Sequence, residues 1–168
     1  GFEASLGIDL AKGLSLDMAG AYTKTSIISA TNVAVTSFYG IADFRGKENP
    51  FVSKWTGNIS LAYTTALSDT VDVFGRADFT YKSGAFTDIS NLSWGPSQTQ
   101  MNVRLGVRNK SLSIEGYVTN LFNNRGYYNV GTSGLNAFGV STNGAQFSSL
   151  IAAPRELRTF GVRASVNF

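Results

Sequence analysis

The chain has 168 residues, enough for one domain with its own core, and its 14 Lys and Arg against 11 Asp and Glu give a formal net charge of +3. Only 15% of residues are charged, and the basic ones are scattered, so no nucleic-acid-binding run exists. With no Cys and no His, disulfide frameworks, Cys/His zinc sites and Cys- or His-based catalysis are excluded; we expect no enzyme, no metal and no cofactor.

Side chains alternate across a strand, so a strand with one apolar face shows a period of two. Phe2 to Leu10 sets Phe2, Ala4, Leu6, Ile8 and Leu10 against Glu3, Ser5, Gly7 and Asp9. After the turn Ala11-Lys12-Gly13, a second strand from Leu14 to Thr25 sets Leu14, Leu16, Met18, Gly20 and Tyr22 against Ser15, Asp17, Ala19, Ala21 and Thr23. Ser26 to Ser53 is a long mixed segment. A third strand, Lys54 to Leu67, opposes Trp55, Gly57, Ile59, Leu61 and Tyr63 to Thr56, Asn58, Ser60, Ala62 and Thr64. Ser68-Asp69 turns into a fourth, Thr70 to Lys82, with Asp72, Arg76, Asp78 and Thr80 on its polar face and Phe74 on that face against the pattern. A second long segment, Ser83 to Thr99, follows. The fifth strand, Gln100 to Asn109, places Asn102, Arg104 and Arg108 on its polar face. Lys110-Ser111 turns into the sixth, Leu112 to Phe122, which carries Ser113, Glu115, Tyr117 and Thr119 there. The third long segment, Asn123 to Leu157, is rich in Asn, Gly and Ser. The last strand, Arg158 to Phe168, puts Phe160, Val162, Ala164, Val166 and Phe168 opposite Thr159, Gly161, Arg163, Ser165 and Asn167.

Connections alternate strictly between short and long, and charges within the strands keep to the polar parity. Both features fit an antiparallel up-and-down transmembrane β-barrel segment, about seven strands with short periplasmic turns and long extracellular loops. The outer strand ends then carry Phe2, Tyr22, Trp55, Tyr81 and Phe160 on the apolar face, as an interfacial girdle would. A half-buried soluble sandwich or a soluble ligand-binding barrel would turn the apolar face inward instead. No run of about 18 apolar residues is present, so no transmembrane helix is expected. No signal peptide is visible and residue 1 is Gly, so we expect a processed protein or a piece of a longer one.

Several stretches resemble the C-terminal end of the TonB-dependent outer-membrane receptors. Tyr117-Val-Thr-Asn-Leu-Phe-Asn-Asn-Arg-Gly-Tyr127 resembles the family's penultimate-strand signature. Pro154-Arg-Glu-Leu-Arg-Thr-Phe-Gly-Val162 resembles the lead-in to its final strand. Asn49-Pro-Phe-Val-Ser-Lys-Trp-Thr56 and Gly1-Phe-Glu3 resemble the starts of earlier strands. The resemblance implies that residues 1–168 are the C-terminal part of an outer-membrane β-barrel of about 22 strands, with the plug domain and earlier strands outside this sequence. Single-chain bacterial barrels have even strand numbers, which seven strands do not satisfy.

The resemblance also implies function and location. The whole protein would sit in the bacterial outer membrane and take up a scarce nutrient such as a ferric siderophore, cobalamin or a glycan. Its partners would be outer-membrane lipid, the barrel-assembly machinery, its own plug domain, and TonB through the N-terminal part. Loop residues Arg45, Trp94, Tyr127 and Tyr128 are the expected ligand contacts, set against simple packing of loop on loop. Asp72, Arg76, Asp78, Arg104, Arg108, Glu115 and Arg163 are expected to form a charge ladder in the lumen, with Arg76 and Arg104 facing the plug. Phe160, Val162, Ala164, Val166 and Phe168 resemble the C-terminal signal read by the assembly machinery. The alternative is a self-contained small outer-membrane barrel of structural role, which needs an eighth strand within Ser26–Ser53 or Asn123–Leu157. Asn58-Ile-Ser60, Asn91-Leu-Ser93 and Asn109-Lys-Ser111 match glycosylation sequons, by chance on a bacterial reading.

Overall fold

The computed structural model describes residues 1–33, 36, 40–134 and 148–167. Eleven strands occur among them: β1 (Phe2–Ala11), β2 (Leu14–Tyr22), β3 (Trp55–Ser68), β4 (Val71–Lys82), β5 (Ala85–Phe86), β6 (Trp94–Gly95), β7 (Gln98–Arg108), β8 (Leu112–Thr119), β9 (Tyr127–Gly134), β10 (Ser148–Pro154) and β11 (Thr159–Val166). Seven form one sheet in the order β1-β2-β3-β4-β7-β8-β11, each strand antiparallel to the next. These are the seven strands that the alternation predicts, displaced at their ends by a few residues. The sixth stops at Thr119 rather than Phe122 because Asn120 takes a left-handed backbone conformation, φ 49°.

The long segments hold the other four strands. β5 pairs only with β6, and β9 only with β10, so each pair forms a ribbon outside the main sheet. Among the described residues, therefore, no eighth wall strand arises from 26–53 or 123–157. The main sheet is open, with β1 and β11 as its edges.

Register keeps like with like. The row Asp17–Ser60–Asp78–Asn102 is polar on four successive strands, and the row Ile8–Leu16–Leu61–Ala77–Val103–Val118–Phe160 is apolar on seven. A slip of one residue would turn every side chain of a strand to the wrong face, so this patterning fixes the pairing. Phe74, out of parity in the sequence, lies opposite Gly106. A side chain at Gly106 would meet the Phe74 ring at 2.7 Å, so the glycine makes the space the ring fills. The Arg108 guanidinium stacks over that ring, 5.5 Å from its centroid.

Burial is the reverse of a water-soluble sheet. Ser60 on the polar face is 7% exposed, whereas Leu105 and Val162 on the apolar face are 62% and 77% exposed. In β8 the apolar Leu112 and Ile114 are exposed while Ser113, Glu115 and Tyr117 are half-buried. Among the described residues the one fully buried large apolar side chain is Phe44, and it sits in a loop.

The sheet also slants. Phe2, Tyr22 and Trp55 share one cross-strand row, but the row of Phe160 meets β3 at Leu61, six residues further along. Six residues are about 20 Å of strand, gained over six inter-strand spacings totalling about 29 Å. A strand tilt of about 35° brings Phe2 and Phe160 level, and membrane barrels tilt by that amount. Tyr81, opposite Gly57, falls between them. Phe2, Tyr22 and Trp55 form one ring cluster with centroid distances of 4.7–5.9 Å.

Candidate functional site: the polar wall and the loop layer

Six of the seven charges expected in the lumen ladder meet in three ion pairs. Arg163 donates to Glu115 across β11 and β8 at 2.8 Å, and Arg108 faces Asp72 across β7 and β4 at 3.5 Å. The third pair runs along β4 rather than across strands. Arg76 Nε donates to Asp78 Oδ1 at 2.8 Å and Arg76 Nη2 to Ser60 Oγ at 3.1 Å, while Ser60 donates to Asp78 at 2.6 Å. Directly opposite Arg76 stands Arg104, a like charge. Arg104 makes no hydrogen bond or ion pair among the described residues; it opens onto a cavity of about 450 Å³ shared with Asn102, Glu115, Tyr117 and Arg163. Arg76 is thus tied into the wall, and Arg104 is the more available of the two.

Above the wall, loops are held by side chains bonding to backbone. Asn91, at φ 58°, accepts from the N–H of Glu48 at 2.7 Å and donates to the Glu48 carbonyl at 2.9 Å, joining the second long segment to the first. Asp88 is buried and accepts from the N–H groups of Ser90 and Ser93 and from both serine hydroxyls. Burial pushes the Asp88 carboxyl up, but the bonds from Ser90 and Ser93 outweigh it and hold the group below the usual carboxylate range. Lys54 pairs with Glu48 at 2.7 Å, and that bond raises the Lys54 pKa.

The two motifs at the C-terminal end meet in one knot. Asn120, 3% exposed, donates to the carbonyls of Asn124 and Glu156 and accepts from the N–H of Asn124. Its own N–H bonds Asn102 Oδ1 at 3.0 Å. Buried Arg155 reaches back to β7, donating to the Thr99 carbonyl at 2.9 Å and to Gln100 Oε1 at 3.1 Å. Asn123 accepts from the N–H of Arg158 at 3.1 Å. The exit of β8 and the approach to β11 are therefore fastened together and to β7.

The four expected ligand contacts are not gathered into one place. Tyr127 lines a cavity of about 270 Å³ between the loops and the wall, together with Phe51, Lys82 and Gln98. Trp94 packs edge-on against Phe86 at 4.9 Å, as in loop-on-loop packing, and Arg45 lies exposed outside that lining. The side chain of Tyr128 lies outside the described residues, as does Phe168. Of the residues expected to form a C-terminal signal, Phe160, Val162, Ala164 and Val166 share one parity of β11. Sequence reasoning missed Lys82, Gln98 and Phe51 at the cavity and Asp88 in its loop. The spacing Asp88-Ile-Ser90-Asn91-Leu-Ser93 was the available signal for the last, since Asp and Ser in such runs cap turns.

A slanted antiparallel wall, apolar on its exposed face, polar on the other and crowned by long loops at one end, defines a segment of an up-and-down membrane β-barrel. The chain belongs to the family of TonB dependent receptor-like β-barrels, whose sequence profile matches residues 1–121. Two solved structures are similar to it. The ferric yersiniabactin uptake receptor FyuA from Yersinia pestis superposes with a TM-score of 0.68 at 19% identity, over 99% of this chain and 23% of that one. The siderophore receptor PiuA from Acinetobacter baumannii gives 0.64 at 16% identity, over 96% and 20%. The chain thus spans less than a quarter of the length of either receptor, and at these identities the likeness is one of fold. No curated protein sequence matches it.

Proposed function

We propose that this chain is wall and loops of a TonB-dependent transporter in the bacterial outer membrane that takes up a scarce nutrient, with a ferric siderophore as the favoured class. The reversed burial of the sheet carries the reading: a face holding Leu105 and Val162 more than half exposed is stable against lipid and a liability in water. The receptors it superposes on support the substrate class, since one is described as taking up ferric yersiniabactin and the other as a siderophore receptor. The protein transports and does not catalyse. Lipid contacts the apolar face, the assembly machinery reads Phe160 to Phe168, and a plug domain outside this sequence, through which TonB acts, fills the polar side and meets Arg104.

The test is to fractionate the source cells and measure the intact mass of the polypeptide that contains this sequence. The expected result is an outer-membrane protein several-fold heavier than 18.0 kDa. A water-soluble protein of any mass would overturn the membrane assignment. An outer-membrane protein of 18.0 kDa would overturn the plugged transporter and leave a small barrel.

A further inference from the structure

Positive charge gathers at the loop end of the sheet. The three long segments, 23–54, 82–97 and 120–158, carry eight Lys and Arg against four Asp and Glu, while the wall and the short turns carry six against seven. The four loop carboxylates are also engaged. Glu48 pairs with Lys54, Asp43 accepts from the Arg45 N–H at 2.9 Å, Asp88 is bonded by the serines of its own turn, and Glu156 lines the cavity on the polar face. Cations at this end therefore outnumber the carboxylates that could meet them.

Arg158 is fixed against the apolar face. Its guanidinium lies over the Phe160 ring, 5.4 Å from the centroid, and Nη1 donates to the Leu121 carbonyl at 3.4 Å. Its backbone N–H donates to Asn123. Phe160 stands in the apolar row of β11 and, on the tilted sheet, level with Phe2. Phe122, Leu157 and Phe160 are each more than half exposed. Arg158 is exposed too, and among the described residues it has no ion pair. A cation stacked on a ring where apolar surface gives way to polar stands at the level of a bilayer's headgroups. Chains cover the rings there, and a guanidinium offers a planar fork of donors that suits a phosphate.

We propose that Arg158, held against Phe160 at the outer edge of the apolar face, is a docking point for the phosphate of an outer-leaflet lipid, with Phe122, Leu157 and Phe160 against the first part of its chains. The inference rests on the membrane reading proposed above and adds to it the headgroup chemistry that this edge selects. The surplus of cations at the loop end supports an anionic lipid, since each carboxylate that could have neutralised Arg158 has another place.

The experiment uses the full-length receptor in detergent, titrated with phosphatidic acid or with diacylglycerol of the same chains, which lacks only the phosphate. Bound lipid is counted by native mass spectrometry. Wild type is expected to bind phosphatidic acid at least about fivefold more tightly than diacylglycerol. Arg158→Gln should lower that preference by about fivefold, and Arg158→Lys should keep part of it. Arg45→Gln, the same loss of charge on an exposed loop, should leave it unchanged. The inference is overturned by equal binding of the two lipids, by an unchanged preference in Arg158→Gln, or by an equal fall in Arg45→Gln. Displacement of phosphatidic acid by an equal concentration of inorganic phosphate would also overturn it, in favour of a site for free phosphate. Outer-membrane location and heat-modifiable gel mobility of the same proteins report on the barrel separately, so a failed lipid site and a failed membrane assignment are told apart.

Discussion

The glycine before Val162 gives a sharp test of the wall. Gly161 pairs with Tyr117 across β11 and β8. A methyl group there would lie 2.7 Å from Cε1 of Tyr117, and closer still to its Cζ and hydroxyl. No backbone atom is among these contacts, so Gly161→Ala must evict the ring and need not distort the sheet. The ring then loses its place under Arg163, whose guanidinium lies 5.5 Å from the centroid, a contact of about 0.5–1 kcal/mol at an exposed site. It also loses the cross-strand packing, about 0.2–1 kcal/mol. The expected cost is about 1–2 kcal/mol in denaturant unfolding of the full-length receptor in lipid vesicles. In a Tyr117→Ala background the same change should be neutral within about 0.5 kcal/mol, so the double-mutant cycle should return nearly the whole cost as coupling. Equal costs in both backgrounds would refute the reasoning.

Other outcomes follow from the same geometry. Asn120→Ala removes a buried side chain with three backbone partners at the knot, and should cost about 2–3 kcal/mol and expose residues 120–158 to protease first; a cut pattern like wild type would count against it. Asp88 has a depressed folded-state pKa, so its contribution is present above the unfolded carboxylate range near 3.9 and is lost as pH falls through the lower folded value. Amide exchange in residues 87–93 should therefore accelerate in strong acid, and Asp88→Asn should show the faster exchange already at pH 7. Leu105→Arg puts a charge on the lipid face at about 2–4 kcal/mol and should reduce insertion, measured as folded protein in the outer membrane, whereas Thr80→Arg on the polar face should insert normally.

The wall was legible because a two-residue period is a strong signal, and its polar parity already carried Asp72, Arg104 and Glu115. Phe74 breaks that signal, and its reason lies thirty-two residues away at Gly106 on the next strand of the wall, because the register that sets the two opposite each other cannot be read from either strand alone. The loops were opaque for a related cause. Asn120 and Arg155 were visible as motif letters, but their partners are backbone groups of Glu156 and Thr99, and backbone groups have no letter. The ribbon β5–β6 was missed because two-residue strands are too short to show a period, and β9–β10 because Tyr127–Gly134 and Ser148–Pro154 carry no parity contrast. The pairing of Arg76 with Asp78 along a strand, rather than across one, depended on Ser60 standing opposite.

The two halves of the molecule meet the same requirement in different ways. Backbone N–H and C=O groups inside a bilayer have no water to bond, so the wall must satisfy them strand to strand, and its side chains are free for parity alone. At the loop end water is available and the ladder stops, so the chain can turn wherever a side chain bonds the backbone it leaves behind. Asn does this best, because one amide both donates and accepts and its backbone tolerates positive φ. Asn91, Asn120 and Asn123 all take positive φ, and each bonds backbone across a junction between segments. At these three positions Asn marks an ordered turn. Phe51 has the same backbone conformation in the turn after Pro50, where the bond from its N–H to the Phe86 carbonyl again joins two segments.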